Sequence, residues 1–337
     1  MTDRDTAPKH PGGMAPSPDL TVGMIGLGDM GAAIASAILG KGFPMVVYDL
    51  RPEAVDALVA KGARGAASVE ALAADCDTAI LVVVDDAQVR QVVGQLLARP
   101  GSLKSIIVSA TVLPGTVSDL AEEAAKQGIA LLDAPVTGGA EKASRGIITI
   151  LVGASAEAMA QCRPVFEAFG ANIFHLGPPG AGSAAKLVNN LLSIGGNILL
   201  LEAMDLARAY GITEDAVTEF VSTGAGDSRG LRTWGRLDRA RRSHTLAGTP
   251  EIYEIFAKDV RVAAKAAGAR GVTLPVAAGI GMMIGQKFRE RDKFLADNDM
   301  LGPIPTCRIC GQELAAPFRA AGTHPECTSL TPDQACG

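Results

Sequence analysis

The sequence predicts an α/β protein: a doubly wound, mostly parallel sheet, then an all-helical domain and a short Cys/His tail. Three observations carry this. Between Thr21 and Gly177 short apolar, β-rich runs alternate with helical stretches, as in a sheet covered on both faces. After Gly182 the strand runs stop and only helical patterns continue. At Gly302-Pro303-Ile304-Pro305 the chain becomes linker-like, and cysteines follow. The boundaries set in this way are 1–20 for a leader, 21–179 for the sheet domain, 180–301 for the helical domain and 302–337 for the tail.

The strand runs are Thr21–Leu27, Met45–Leu50, Thr78–Val84, Ser105–Ala110, Ala130–Val136, Ile148–Gly153 and Asn172–Leu176. Most are apolar at nearly every position, which fits strands buried on both sides. Between them lie helical stretches at Pro52–Lys61, Ala87–Leu97, Gly115–Gln127 and Ala156–Phe169. Pro52 suits a first helical turn and Gly62 a stop. In the second half, Ser183–Tyr210 reads as one long helix closed by Gly211, followed by Thr213–Ser222, Pro250–Ala267 and Pro275–Asp297.

Composition excludes some functions. Net charge is -5 with both signs interspersed, and aromatic residues make up 4%, so neither a basic stripe nor a base-stacking platform is present. The most apolar stretch, Leu191–Met204, is interrupted by Ser193, Asn197 and Glu202 and is short of a membrane span. The first twenty residues have no apolar core and read as a disordered leader rather than an export signal. The expected compartment is therefore the cytoplasm, with cysteines reduced.

The segment VGMIGLGDMG sets Gly26, Gly28 and Gly31 in a GxGxxG arrangement around Met30. It follows a strand and opens a helix, the context of a Rossmann-type dinucleotide fingerprint. Gly26 permits the tight turn, Gly28 lets a pyrophosphate approach the backbone, and Gly31 lets the helix pack on the sheet. The next strand ends in Asp49, 23 positions beyond Gly26, where a carboxylate suits ribose hydroxyls and favours NAD. Arg51 leaves NADP open, because an arginine there can accept a 2′-phosphate.

Three further motifs follow in order: DAPVTGGAEKASRG from Asp133, GAGSAAKLVNN from Gly180, and the pair Lys258-Asp259. With the glycine fingerprint they closely resemble the β-hydroxyacid dehydrogenases, over roughly Thr21 to Gln286. The resemblance implies a helical domain like the C-terminal domain of 6-phosphogluconate dehydrogenase. It also implies hydride transfer between NAD and a small β-hydroxyacid, in a homodimer or homotetramer. It matches the catalytic lysine to Lys186 and a catalytic asparagine to Asn190, one helical turn apart. A lysine ammonium stabilises a developing alkoxide and, as a neutral amine, takes the hydroxyl proton. The reference lysine pKa near 10.4 is high for a base at neutral pH, so burial or a cationic neighbour such as Lys258 is expected to depress it.

The resemblance further implies a substrate carboxylate clamp at Thr137, Gly138 and Gly139, with Thr137 where the family usually has Ser. It places Lys258 near substrate and nicotinamide, and Val83, Val84 and Thr111 against the cofactor. The stretch Ser222–Trp234, with Gly224, Gly226, Asp227 and Ser228, resembles a loop near the substrate. There Trp234 is either a pocket wall or a core residue, and Lys258 has the alternative of pairing with Glu254. Two other readings stay open: an imine reductase-like enzyme, whose relatives typically lack the lysine, and a non-catalytic dinucleotide-binding interaction protein.

The family does not explain the tail. Cys307 and Cys310 are followed after 13 residues by His324 and Cys327. CxxC then HxxC is close to the spacing of a structural zinc site, closed to substrate. Cys336 is an alternative fourth ligand, and spare thiols or a redox pair are the other readings.

Overall fold

The computed structural model describes residues 20–247, 251–298 and 300. Spatial contacts divide the chain into two compact units that meet between Val188 and Asn189.

The first unit is built on strands β1 (Val22–Ile25), β2 (Met45–Tyr48), β3 (Arg64–Gly65), β4 (Thr78–Leu81), β5 (Ser105–Val108), β6 (Ala130–Asp133), β7 (Val136–Thr137), β8 (Ile148–Gly153) and β9 (Gly170–Gly177). They form one sheet in the order β3-β2-β1-β4-β5-β6-β8-β7, with β9 beside β8. From β3 to β6 all pairings are parallel. Helices α1 (Asp29–Gly40), α2 (Pro52–Val59), α3 (Val69–Ala74), α4 (Asp86–Ala98), α5 (Pro114–Ala125), α6 (Ala140–Ser144) and α7 (Ala156–Phe169) supply the crossovers and cover. Successive residues of β5 show both faces buried. Ile107 joins the core containing Ile34, Ile38 and Phe166, while Ile106 and Val108 join the opposite core with Leu72, Val93 and Leu120. The alternation follows from the two-residue strand period.

Register aligns the strand ends. Ile25 pairs with Tyr48 and with Leu81, Leu81 with Val108, and Val108 with Asp133. Parallel strands in register end on one edge, and the reversal of strand order between β1 and β4 opens a crevice there, the usual ligand position in such sheets.

The run Ala130–Val136 is not one strand. It breaks at Ala134-Pro135, after which β7 pairs antiparallel with β8. Pro135 has no N–H to donate to a ladder, and its carbonyl instead accepts from Leu151 N at 3.0 Å.

The second unit holds most of α8 (Ala181–Ala209), then α9 (Glu214–Val221), α10 (Arg229–Arg232), α11 (Arg236–Ala247), α12 (Ile252–Gly268) and α13 (Pro275–Asp297). Ile194, Ile198 and Leu201 recur at helical spacing and pack with Val260, Ile284 and Phe288. Helix α8 is long and apolar enough to cross a membrane by length and composition, although 33% of its most apolar window is buried. Its apolar residues divide between this buried row and an exposed one, Leu192, Leu199 and Leu206. Helices α10 and α11 lie outside the sequence expectation. The α11 sequence RLDRARRSHTLA has too few apolar positions to show a stripe.

Candidate active site

The glycine fingerprint lies at the crevice edge, between the ends of β1 and β4. Gly26 has φ 87°, and a Cβ added there meets the Val82 carbonyl oxygen at 2.2 Å. A Cβ on Gly31 meets the Gly26 oxygen at 1.9 Å. Both positions therefore require glycine because protein backbone is in the way. Gly28 differs: its φ is -65°, and a Cβ there meets nothing within 4 Å. No internal contact or strain demands glycine at the start of α1, and the space beside it suits a pyrophosphate on the helix N-terminus. Met30 lies in the first turn of α1, partly buried against the core.

Asp49, just past β2, is held by its neighbours. Its Oδ2 accepts from Leu27 N at 2.6 Å, and its Oδ1 accepts from Arg51 N and Nε at 2.9 and 3.2 Å. Burial works against its ionisation, but these donors and the guanidinium outweigh it and leave the carboxyl below its ordinary range. The carboxylate thus links the glycine turn to the end of β2, and Arg51 is tied to it. Val83 packs on the core beyond β4, Val84 is exposed, and Thr111 follows β5 half-buried. All three lie at the carboxyl edge that carries Gly26.

Farther along the same edge, Lys186 Nζ donates to the Val136 carbonyl at 2.7 Å. Val136 leads into Thr137, Gly138 and Gly139, whose glycines have φ 137° and 89°. That left-handed backbone strains any other residue and turns the chain into α6. That bond anchors Lys186 at the residue that precedes the Thr137-Gly138-Gly139 clamp of the sequence reading. Asp133, four residues before Thr137, is wholly buried. Its oxygens accept from Gly180 N at 2.8 Å and Ser183 N at 2.5 Å. Burial pushes its carboxyl above the ordinary value, against the pull of those donors.

In the second unit, Asn190 Nδ2 donates to Asp259 Oδ2 at 2.7 Å, and Asn189 Nδ2 donates to Asn190 Oδ1 at 3.0 Å. With its oxygen accepting from Asn189 and its nitrogen donating to Asp259, the Asn190 amide is fixed in orientation. Lys258 Nζ lies 3.2 Å from Asp259 Oδ1, so the adjacent aspartate takes the place considered for Glu254. The sequence motif contained Asp133 and Asp259 but assigned neither a role. A charge ending an apolar strand, or buried in a helix, was the available signal.

Trp234 is partly buried against the helical core. Its indole donates to Glu214 Oε2 at 2.6 Å, and the Arg291 guanidinium sits 4.8 Å over the ring. Asp227 accepts from Arg232 Nε through both oxygens, and Ser228 caps α10. A cavity of about 730 Å³ lies here, lined by Arg208, Glu214, Trp234 and Arg291. Its buried charges are already matched, with Arg291 paired to Glu214 and Asp238, and Lys186, Asn190 and Lys258 do not line it. Cys307, Cys310, His324, Cys327 and Cys336 fall outside the described residues, among which no group suited to hold a metal ion occurs.

Comparison with known proteins agrees with this fold. Residues 21–177 match the NAD-binding domain of 6-phosphogluconate dehydrogenase. Residues 180–303 match the family described as NAD-binding of NADP-dependent 3-hydroxyisobutyrate dehydrogenase. An NAD-dependent L-serine dehydrogenase of Pseudomonas aeruginosa is 34% identical, the alignment covering 80% of this chain and 94% of the relative. The solved structure of Mycobacterium tuberculosis 3-hydroxyisobutyrate dehydrogenase with L-serine superposes with TM-score 0.70 at 26% identity, over 82% of this chain and 94% of that one. A Streptomyces aurantiacus imine reductase superposes with TM-score 0.57 at 20% identity, over 79% and 93% of the two chains, a likeness of fold alone. The chain belongs to the β-hydroxyacid dehydrogenase family.

Proposed function

We propose that this protein oxidises a small β-hydroxyacid with NAD, and that Lys186 gives and takes the hydroxyl proton. The supporting observation is the anchorage of Lys186 to the Val136 carbonyl, immediately before the Thr137-Gly138-Gly139 turn. NAD supplies the hydride acceptor when bound, on the Gly26–Gly31 turn with Asp49 at the ribose. Thr137 and the NH groups of Gly138 and Gly139 hold the substrate carboxylate. The Lys186 ammonium stabilises negative charge developing on the substrate oxygen, and its neutral form takes the proton. Asn190, one turn along α8 and oriented by Asp259, aligns a polar atom of the substrate or of the lysine. Lys258, ion-paired with Asp259 in the second unit, takes the substrate-binding role that the family resemblance gives it.

The related enzymes act, by their names, on L-serine and 3-hydroxyisobutyrate, which share a hydroxyl one carbon removed from a carboxylated carbon. The test is reduced-nicotinamide absorbance over a panel of such acids. Turnover of at least one with NAD is the expected result. NAD binding with no turnover of any hydroxyacid, but turnover of imines, would replace this reading.

NAD is the proposed cofactor because the Asp49 carboxylate repels a 2′-phosphate. Asp49→Asn keeps an acceptor for Leu27 N and removes the charge. It is expected to lower the ratio of kcat/KM with NAD to that with NADP by about 10-fold or more, a shift of ~1.4 kcal/mol. A parent enzyme that prefers NADP would contradict the assignment.

Two features outside the chemistry belong to the same proposal. The exposed row Leu192, Leu199 and Leu206 repeats every seventh residue along α8, which suits burial against a second copy of the chain. The tail residues Cys307, Cys310, His324 and Cys327 have the donor set and spacing for one structural zinc. Native mass spectrometry reads both. The expected species is a dimer or tetramer with one zinc per chain, the metal lost when Cys307 and Cys310 are changed to Ser. A metal-free monomer would refute both parts.

A further inference from the structure

We propose that Asp133 is the positioning residue for Lys186: its carboxyl clamps the first turn of α8 to the end of β6 and so sets where the lysine stands. The inference rests on the proton-transfer role given to Lys186 above.

Asp133 is the last residue of β6, paired with Val108 on one side and Gly153 on the other. Both of its oxygens are committed to α8, one to Gly180 N and one to Ser183 N. The first N–H groups of a helix have no partner within it, and they are usually met by a Ser, Thr, Asp or Asn just before the helix. Here that position is Gly180, and the acceptor comes from a strand 47 residues earlier. A local cap stabilises a helix wherever it goes. A cap imported from β6 also fixes the helix to the segment that leads into the Thr137-Gly138-Gly139 turn.

Backbone packing is shaped for this contact. A Cβ on Gly153 meets Asp133 Oδ1 at 2.2 Å, and one on Gly182 meets the Leu151 oxygen at 2.3 Å. Gly180 has φ 99°. The glycines of the motif around Lys186 thus let α8 sit directly on Asp133.

Two ties then close a ring. Asp133 binds Ser183 N, and three residues further along each segment Val136 O receives Lys186 Nζ. Three helical residues advance about 4.5 Å, too short a lever for the lysine to stay in place if the first turn shifts. Misplacement of a reacting group by 1 Å costs up to about 100-fold in rate.

Asp133→Asn retains the volume but turns a nitrogen, which cannot accept, towards one of the two N–H groups. Gly153→Ala leaves the carboxyl in the sequence and displaces it. In both variants kcat is expected to fall about 10- to 100-fold, with the Kd for NAD within about threefold of the parent. A second readout needs no turnover. After reductive ¹³C-methylation of lysines, the Lys186 signal, identified by its loss in Lys186→Arg, is expected to change shift and titration midpoint in both variants. If a variant that is folded at the assay temperature keeps kcat within twofold and an unmoved Lys186 signal, Asp133 is only a cap and the proposal fails. A moved Lys186 signal in a protein that turns over no hydroxyacid would uphold the positioning and overturn the dehydrogenase reading alone.

Discussion

Lys186→Ala is expected to lower kcat by about 100- to 10,000-fold, the range for loss of a positioned acid–base group, while NAD binding stays within about twofold. The glycine turn and Asp49 that are assigned to the dinucleotide lie at the ends of β1 and β2, whereas Lys186 is anchored at β7, so the two effects separate. Truncation at Lys186 removes the donor to the Val136 carbonyl, but that carbonyl precedes a turn and can be met by water in its place. Lys186→Arg separates charge from proton transfer. The guanidinium retains a permanent positive charge and does not act as a base. It is therefore expected to recover substrate binding while kcat remains depressed by about 100-fold or more. Steady-state kinetics with the best acid of the panel, together with NAD titration, reads both variants. An alanine variant within tenfold of the parent kcat would remove Lys186 from the chemistry and shift the search for the proton carrier to other groups on the carboxyl edge of the sheet.

How much of this was legible in the sequence depends on how far apart the interacting residues lie. The strand runs were readable because both faces of the sheet are buried, so nearly every position is apolar, as in Ile106-Ile107-Val108. The glycine turn was readable because the close approach of Gly31 to the Gly26 carbonyl is local, falling within one strand–helix turn, although the Val82 carbonyl that also crowds Gly26 comes from a distant strand end. Lys186 and Asn190 were readable through the family motif and their one-turn spacing. The supports of those residues were not. Asp133 meets Gly180 across 47 residues and Asp259 meets Asn190 across 69, and nothing periodic marks such a pair. The break at Ala134-Pro135 was marked by Asp133 and Pro135 themselves, but the apolar residues Leu131, Leu132 and Val136 around them made the run read as one strand. Helix α11 was hidden because Arg241, the buried one among its residues of described burial, is a charge, stabilised by Asp292 and the Phe288 carbonyl, whereas pattern reading expects an apolar residue inside.

Two substitutions of the same size, two residues apart, are expected to fail in opposite ways. Gly26→Ala puts a methyl 2.2 Å from the Val82 oxygen on a residue with φ 87°. Neither strain can relax cheaply, since the obstacle is the backbone of β4's continuation and the conformation is set by the Gly26 N bond to the Tyr48 oxygen at 3.0 Å. A left-handed non-glycine residue alone costs about 1–3 kcal/mol, and the overlap adds to it. Thermal unfolding is expected to fall by several degrees or more, with NAD affinity lost as a consequence. Gly28→Ala places its methyl in open space, at φ -65°. The apo protein is expected to keep its unfolding temperature within about 2 °C, because no contact is broken and alanine loses less backbone entropy than glycine on folding. NAD affinity is nevertheless expected to fall about 10- to 100-fold, since the methyl occupies the approach of the pyrophosphate to the helix N-terminus. Thermal melts with and without NAD compare the two directly. A Gly28→Ala protein that binds NAD like the parent would show that the cofactor does not pass over this glycine, and the open space at the start of α1 would need another explanation.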